Sequence, residues 1–189
     1  MKTRESGMPA EEIWDKFYDT EFILDSLGIK NVKGNIADLA CGYGTFTIPV
    51  ARRTKGKVYA IDIEKAMVDS TQEKVRQSGL QNVVTIQKDF VTEGTGLDDG
   101  CCEHVMLFNL LHAEDPISIL NEAKRILTTG GKVDIIHWNY DSKTPRGPSM
   151  SIRPKPEEIQ NWLIEAGFKL GGTIIPLPPF HYGLTGMKP

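Results

Sequence analysis

The chain has 189 residues, with 22 Lys and Arg against 25 Asp and Glu and a formal net charge of −3. This length is typical of one domain that buries enough apolar surface to fold without disulfides or metal ions. The acidic balance argues against a protein that binds by neutralising the phosphates of a nucleic acid. The N-terminus is polar, and no apolar run approaches the length of about 20 residues that spans a membrane. We therefore expect a single cytoplasmic domain over residues 1–189, with no membrane partner and with its three cysteines reduced.

Helical and extended patterns alternate along the chain. Apolar spacing predicts helices over residues 11–27, 45–53, 65–78, 116–127 and 157–166, with residues 1–30 as an N-terminal helical cap. Short apolar runs predict strands over 35–40, 57–62, 83–87, 104–109, 132–137, 168–175 and 180–187. The alternation predicts a three-layer, doubly wound α/β fold with a mostly parallel, seven-stranded sheet. The Pro-rich turn at 176–179 is too short for a crossover helix, so the last two strands should form an antiparallel hairpin.

One long irregular stretch, residues 139–154, contains Pro145, Gly147, Pro148 and Pro154. Loops of this length within a compact domain are usually functional or disordered. We expect this loop to be a lid over a site.

The sharpest local motif is the run Asp38-Leu-Ala-Cys-Gly-Tyr-Gly44, which ends the first predicted strand and opens a helix. Open α/β sheets bind ligands at this place, where glycines allow a tight turn and a close approach of the backbone. A pyrophosphate site would prefer a third glycine at the position of Thr47. A carboxylate at Asp38 would also repel a phosphate, so the motif better suits a ligand that carries an ammonium group.

With this motif the sequence resembles the class I S-adenosylmethionine-dependent methyltransferases, from about residue 35 to the end of the chain. Asp38 to Gly44 matches their first motif, Asp62 the acid that ends their second strand, and Asp89 the acid that follows their third. The stretches 107–112, 127–133 and 166–168 are similar to their fourth strand end, their turn into strand five and their lead into strand six. The resemblance implies S-adenosyl-L-methionine as cofactor and S-adenosyl-L-homocysteine as product.

The resemblance also implies how the nucleoside is held. Asp62 would accept both ribose hydroxyls, and Asp89 would accept the adenine amino group. The Phe90 amide would donate to a ring nitrogen, and Ile63 and Leu110 would sandwich the adenine.

The methionine portion would lie against Gly42 and Gly44, with Asp38 near its ammonium group. Two further residues complete the predicted cofactor set: Ala40 and Asn109.

Acceptor-side residues are expected at the carboxyl ends of strands four to six. His112 is the first titratable side chain after strand four and the best candidate for a general base, because imidazole titrates near neutral pH. The structural alternative is that His112 only packs or caps the loop there. After strand five, Trp138 and Tyr140 are candidates for an aromatic wall of the acceptor site. Four side chains after strands five and six are rivals of His112 for the role of base: His137, Tyr140, His181 and Tyr182.

The leading functional hypothesis is a methyltransferase that acts on a small-molecule acceptor. A methyltransferase of nucleic acid or protein is the second hypothesis, although the Asn/Asp-Pro-Pro-aromatic motif that stacks a flipped base is replaced here by Asn109-Leu-Leu-His112. A cofactor-binding module without catalysis, or a nicotinamide enzyme, is the third. No C-x-x-C spacing indicates a metal site, and the sequence leaves the acceptor atom and the oligomeric state open.

Overall fold

The computed structural model describes residues 8–189, and its core is one mixed eight-stranded sheet. The strands are β1 (Asn35–Leu39), β2 (Val58–Asp62), β3 (Val83–Gln87), β4 (Cys102–Phe108), β5 (Leu127–Trp138), β6 (Lys169–Leu170), β7 (Ile175–Leu177) and β8 (His181–Met187). The order is β3-β2-β1-β4-β5-β8-β6, and β7 also pairs with β8. The first five strands are parallel, whereas β8 runs antiparallel to β5, β6 and β7. The predicted doubly wound fold with an antiparallel C-terminal hairpin is confirmed.

The sheet has one strand more than predicted because the run 168–175 is interrupted. Gly171 approaches β8 so closely that an added Cβ would lie 2.0 Å from the Thr185 hydroxyl. Gly172 follows with a φ of +145°, a conformation that residues with side chains rarely adopt. The run therefore splits into the two short strands β6 and β7.

Seven α-helices among the described residues cover the sheet: α1 (Glu11–Trp14), α2 (Thr20–Ser26), α3 (Thr47–Ala51), α4 (Lys65–Gln77), α5 (Phe90–Glu93), α6 (Pro116–Ile126) and α7 (Pro156–Glu165). Helices α2 and α3 bury their apolar faces against one side of the sheet, around Ile36 and Met106. Helices α6 and α7 pack on the other side, around Val105 and Ile135. Alternate residues along β4 and β5 therefore serve two separate cores, as expected for parallel strands covered on both faces. No helix within residues 8–189 is long and apolar enough to cross a membrane.

The N-terminal region is not the continuous helix that the spacing over 11–27 predicts. Helix α1 passes into a 3-10 turn at Asp15–Phe17, and Tyr18 is extended. Asp19 then starts α2 by accepting a hydrogen bond from the backbone N–H of Phe22 at 3.0 Å. The apolar residues of this region thus come from separate short elements. The prediction of a helical cap over residues 1–30 lies partly outside the described residues, since the description begins at Met8.

The loop over 139–154 is organised around one buried side chain. Arg153 is only 6% exposed, and its guanidinium donates to the carbonyl oxygens of Asn139 and Asp141 at 3.0 Å and of Pro148 at 2.8 Å. It also donates to the Thr144 hydroxyl at 2.6 Å. The loop is therefore a compact unit closed on itself. Its role as a lid remains a prediction.

Candidate cofactor and acceptor site

A cavity of about 320 Å³ opens at the carboxyl ends of β1, β2 and β4. We call it the cofactor cavity. Nine of the ten predicted cofactor residues line it, at the ends of four different strands and in the turns that follow them: Asp38, Ala40, Gly42, Asp62, Ile63, Asp89, Phe90, Asn109 and Leu110. Gly44 does not line the cavity but shapes the turn beside it. The cavity is large enough for a small molecule of cofactor size.

The turn after β1 has a conformation that needs glycine. Gly42 has a φ of +55° and Gly44 a φ of +76°. At Gly44 a Cβ would lie 2.9 Å from the hydroxyl oxygen of Thr71 on α4. The same Thr71 hydroxyl donates to the carbonyl oxygen of Gly42 at 2.9 Å. Thr71 is thus a residue that the sequence motif does not reveal, because it fixes the glycine turn from a position 29 residues beyond Gly42, on a helix that only the fold brings there.

Asp38 is the acid at the end of β1. It is 3% exposed, and one carboxyl oxygen accepts a hydrogen bond from the Thr47 hydroxyl at 2.6 Å. Burial raises the pKa of Asp38 to about 7, and the nearby charge of Asp62 acts in the same direction. Thr47, which stands where a pyrophosphate site would have its third glycine, therefore orients a carboxyl group. A ligand ammonium placed here would favour the charged carboxylate.

Asp62 ends β2 and joins the two loops beside the cavity. One of its carboxyl oxygens accepts from the backbone N–H of Gly42 and the other from that of Glu64, both at 2.9 Å. The side chain is therefore held in one orientation. Burial raises its pKa, and the bonds from these two amides oppose that effect. Each carboxyl oxygen can accept a second hydrogen bond, which fits a pair of ribose hydroxyls.

Asp89 combines two roles at the end of β3. One carboxyl oxygen accepts from the backbone N–H groups of Val91 and Thr92, at 3.2 and 3.4 Å, and so starts helix α5. This short helix was not predicted from the sequence. The side chain of the following Phe90 is buried, at 5% exposure, and both residues line the cavity.

The charges of the lining residues are strongly unequal. Lys88 is the one lysine or arginine among the described lining residues. Six acids line the cavity with it: Asp38, Asp62, Glu64, Asp89, Glu114 and Asp115. A cavity of this kind attracts cations and repels phosphate and carboxylate groups. It suits a ligand that carries sulfonium and ammonium charges.

His112 lies at the β4 side of the cavity and is half-buried. Burial lowers its pKa below 6.5, and the positive charge of Arg153 lowers it further. Its Nδ1 atom is buried without a hydrogen-bond partner. A neutral imidazole in this position is able to accept a proton from a group bound in the cavity. Its ring meets that of His137 edge-on, with centroids 5.5 Å apart.

The other acceptor-side candidates do not line the cofactor cavity. The antiparallel register pairs His137 with Tyr182 and Trp138 with His181, and all four side chains are at most 4% exposed. Tyr140 is 45% exposed beyond the end of β5. Strand β5 continues to Trp138 rather than ending at residue 137, so its pairing with β8 encloses side chains that the sequence places at an open edge.

Aromatic residues of the N-terminal region, which the cofactor motifs do not include, complete this side of the site. Trp14 lines the cavity and packs against Trp138 at 6.5 Å between ring centroids. Phe17 packs edge-on against Trp138 and Phe180 at 5.3 and 6.0 Å. Tyr18 accepts a hydrogen bond from the Asn109 side-chain amide at 2.9 Å. Their helical spacing gave only a weak signal, because core packing produces the same pattern.

Comparisons with known proteins agree with this geometry. A family model described as a methyltransferase domain matches residues 36–131. Demethylmenaquinone methyltransferase of Lactobacillus johnsonii is 27% identical over 166 residues, which cover 77% of this chain and 66% of that protein. The protein of the same name from Anoxybacillus flavithermus is 31% identical over 114 residues, which cover 58% of this chain and 47% of that protein. The chain thus spans between about half and two thirds of the length of these two curated relatives.

Solved structures share the whole fold. A SAM-dependent methyltransferase from Aquifex aeolicus superimposes with a TM-score of 0.81 at 26% identity, covering 91% of this chain and 90% of that one. A type 11 methyltransferase structure from Sulfolobus solfataricus gives a TM-score of 0.70 at 25% identity, with 89% and 90% coverage. These matches confirm the predicted family, the predicted fold class and the predicted cofactor. The family model covers just over half of the chain, and on that match the chain belongs to the methyltransferase-domain family of class I S-adenosylmethionine-dependent methyltransferases.

Proposed function

We propose that this chain transfers a methyl group from S-adenosylmethionine to a small-molecule acceptor. The observation that carries the proposal is the convergence of Asp38, Asp62 and Asp89 on one cavity beside the glycine turn. Each of these acids ends a different strand, and each is oriented by a hydrogen bond to a hydroxyl or backbone amide. This arrangement supports the binding of a cationic nucleoside that carries an amino acid.

The chain's own residues would hold the two ends of the cofactor. Asp62 would accept the ribose hydroxyls, Asp89 and the Phe90 amide would bind the adenine edge, and Ile63 and Leu110 would cover its faces. Asp38 would bind the ammonium group beside the glycine turn. When bound, S-adenosylmethionine supplies an electrophilic methyl group on a positively charged sulfur.

Catalysis by the protein would consist of alignment, exclusion of water and, for acceptors that need it, removal of a proton. We assign proton removal to His112, because it lines the cavity, lies four residues after the end of β4 and has a pKa that burial lowers. Four of the remaining acceptor-side candidates would act from beneath the cavity wall, where they are buried: His137, Trp138, His181 and Tyr182. Tyr140 would act from the exposed loop after β5. We also propose that residues 1–189 form a single domain located in the cytoplasm. Residues 139–154 would serve as a lid over the site.

Two observations support a small acceptor over a polymeric one. The acidic lining of the cavity disfavours a polyanion such as RNA. Two curated relatives, 27 and 31% identical to this chain, are named for demethylmenaquinone, a small-molecule acceptor.

The proposal is tested in two steps. First, S-adenosylhomocysteine should raise the melting temperature while NAD does not, because a ligand that binds only the folded state stabilises it. Second, methyl-labelled S-adenosylmethionine with a cell extract should label a product that passes a small-molecule filter and survives protease and nuclease treatment. Equal stabilisation by NAD contradicts the cofactor assignment. Label that is retained in protein or nucleic acid contradicts the small acceptor.

A further inference from the structure

Unpaired buried polar atoms are concentrated on one side of the cofactor cavity. Seven buried side-chain nitrogen or oxygen atoms of the described residues lack a hydrogen-bond partner, and six of them belong to Asn109, His112, His137 and His181. Proteins leave few such atoms unpaired, and those that remain often mark functional places. These four residues lie at the carboxyl ends of β4 and β5 and the start of β8. The cluster therefore contains hydrogen-bonding atoms for which the described part of the protein supplies no partner.

Tyr18 reaches into this cluster from the N-terminal region. The Asn109 Nδ2 group donates to its phenol oxygen at 2.9 Å. Its ring stacks on the His181 imidazole, with centroids 4.7 Å apart and an angle of 27° between the planes. Phe46 and Trp14 enclose the ring at centroid distances of 5.3 and 5.1 Å. The phenol of Tyr18 is thus held by one amide donor on its hydroxyl oxygen and by aromatic and imidazole rings around its own ring.

We propose that Tyr18 occupies the place of the acceptor's ring, and that the acceptor is a neutral hydroxylated aromatic compound that displaces it. The inference rests on the proposed methyl transfer. The groups around Tyr18 match such a ring: an amide that binds the hydroxyl oxygen, and an imidazole and two aromatic side chains that bind the ring. Asn109 lines the cofactor cavity, so a hydroxyl held by its amide would lie beside the bound cofactor.

The reaction for such an acceptor is a single displacement. The hydroxyl oxygen would form a bond to the methyl carbon as the carbon–sulfur bond breaks with its electron pair remaining on sulfur. The hydroxyl proton would pass to the neutral ring of His112, which lies three residues after Asn109. The products are a methyl ether, a neutral thioether and a protonated imidazole.

The local backbone allows Tyr18 to leave without unfolding a long element. Tyr18 is extended, with φ −131° and ψ 131°, between a 3-10 turn of three residues and helix α2. Asp19 caps α2 independently, so the helix does not depend on Tyr18. Side-chain hydrogen bonds hold the segment before it at two points, the Thr45 hydroxyl on Asp15 at 2.8 Å and the Tyr43 hydroxyl on the Pro9 carbonyl at 3.1 Å. Aromatic contacts of Trp14 and Phe17 add to them. We therefore infer a hinge between Tyr18 and Asp19.

The test compares two tyrosine-to-phenylalanine variants in the presence of saturating S-adenosylhomocysteine, with 1-naphthol as the probe. Tyr18→Phe keeps the ring but removes the hydroxyl that Asn109 binds, so the internal competitor is weakened. We expect 1-naphthol to bind this variant about three- to tenfold more tightly than the wild type, the value of one hydrogen bond. Tyr43→Phe is the matched control, because it loosens the same N-terminal segment outside the cluster; its affinity should change less than about twofold.

A second readout follows displacement directly. When 1-naphthol binds the wild-type protein, hydrogen exchange at residues 14–18 should become faster, whereas a ligand bound elsewhere would leave it unchanged or slow it. The probe 1-methylnaphthalene, which lacks the hydroxyl, should bind at least about tenfold more weakly.

Three results would overturn the inference: no binding of 1-naphthol, equal affinity of Tyr18→Phe and wild type, or unchanged exchange at residues 14–18. Calorimetry with S-adenosylhomocysteine alone, run first on each protein, separates this failure from failure of the proposed function. If S-adenosylhomocysteine binds and 1-naphthol does not behave as expected, only the acceptor class is rejected. If S-adenosylhomocysteine does not bind, the methyltransferase proposal itself is rejected.

Discussion

Asp38→Asn separates the charge of the acid at the end of β1 from its shape. In the wild type this carboxyl group is 3% exposed, and burial raises its pKa from 3.8 to about 7. The difference corresponds to about 4 kcal/mol for keeping the group ionised in the folded protein. Asparagine has the same size and can still accept the hydrogen bond from the Thr47 hydroxyl. The variant therefore removes the cost of a buried charge and the attraction for an ammonium group together.

The sign of the effect on stability follows from the raised pKa. The folded protein holds the Asp38 proton up to about pH 7, whereas the unfolded chain releases it near pH 3.8. The free energy of unfolding of the ligand-free protein therefore falls as the pH rises from about 4 to 7, and this contribution is constant above pH 7. At pH 8 we expect Asp38→Asn to be more stable than the wild type, by up to about 4 kcal/mol. At pH 4 the two proteins should be equally stable.

Cofactor affinity should show the opposite pH dependence. Only the ionised carboxylate attracts the ammonium group, so the wild-type dissociation constant for S-adenosylhomocysteine should increase about 25-fold between pH 7.5 and 5.5. This range lies below the pKa of an α-amino group, about 7.7–8.0, so the ligand keeps its charge. Asp38→Asn should bind more weakly at pH 7.5 and show no such dependence.

Isothermal calorimetry with two ligands makes the assay specific. 5′-Methylthioadenosine shares the nucleoside but lacks the ammonium group, and its affinity should not depend on Asp38 or on pH in this range. Asp69→Asn, at an exposed acid on α4, is the control for net charge. A wild-type affinity for S-adenosylhomocysteine that is constant from pH 5.5 to 7.5 would refute the assignment of Asp38 to the ammonium group.

Four further predictions concern the ribose contact, the base, the hydrogen bonds within the loop and the loop as a lid. Asp62→Asn should weaken S-adenosylhomocysteine binding by about 10- to 100-fold, the value of charge-assisted hydrogen bonds, and calorimetry showing wild-type affinity would exclude the ribose contact. His112→Ala should lower the methyl-transfer rate about 100-fold at unchanged cofactor affinity; the wild-type rate should rise with pH through one ionisation below pH 6.5, and full turnover by the variant would leave His112 a structural role. Arg153→Met should cost about 2–4 kcal/mol of unfolding free energy, because several carbonyl oxygens lose their donor; denaturation by urea measures it, and an unchanged midpoint would contradict the network. In the wild type, hydrogen exchange over 139–154 should slow when cofactor and acceptor are both bound, and identical exchange would exclude the lid.

Much of the fold and of the cofactor cavity could be predicted because the signals are local. Buried parallel strands are short apolar runs, and the glycines and acids that follow them converge on one edge of the sheet. Asp38, Asp62 and Asp89 therefore meet although 24 and 27 residues separate them in turn. Thr71, Tyr18 and Arg153 could not be predicted in the same way. Their roles depend on long-range packing, and their residue types are common on any helix or loop.

The acceptor side shows why edge positions alone mislead. His137 and Trp138 end β5, and a parallel neighbour would have left them near an open edge. Strand β8 instead returns antiparallel and pairs residue by residue with them, up to Trp138 opposite His181. Register in such a pair is fixed by the burial of both faces, which single-sequence patterns do not give for a seven-residue strand with two glycines.

Buried titratable groups of the site lower the free energy of unfolding of the ligand-free protein in two opposite pH directions. Burial lowers the pKa of His181 to about 3, and it lowers those of His112 and His137 as well. Since the unfolded chain binds these protons near pH 6.5, the histidine contribution to the free energy of unfolding decreases as the pH falls below that value. Asp38 has the opposite effect, because its contribution decreases as the pH rises to about 7. Both costs come from groups whose charged form burial disfavours, and of these groups Asp38 and His112 line the cofactor cavity, where a ligand can compensate the cost.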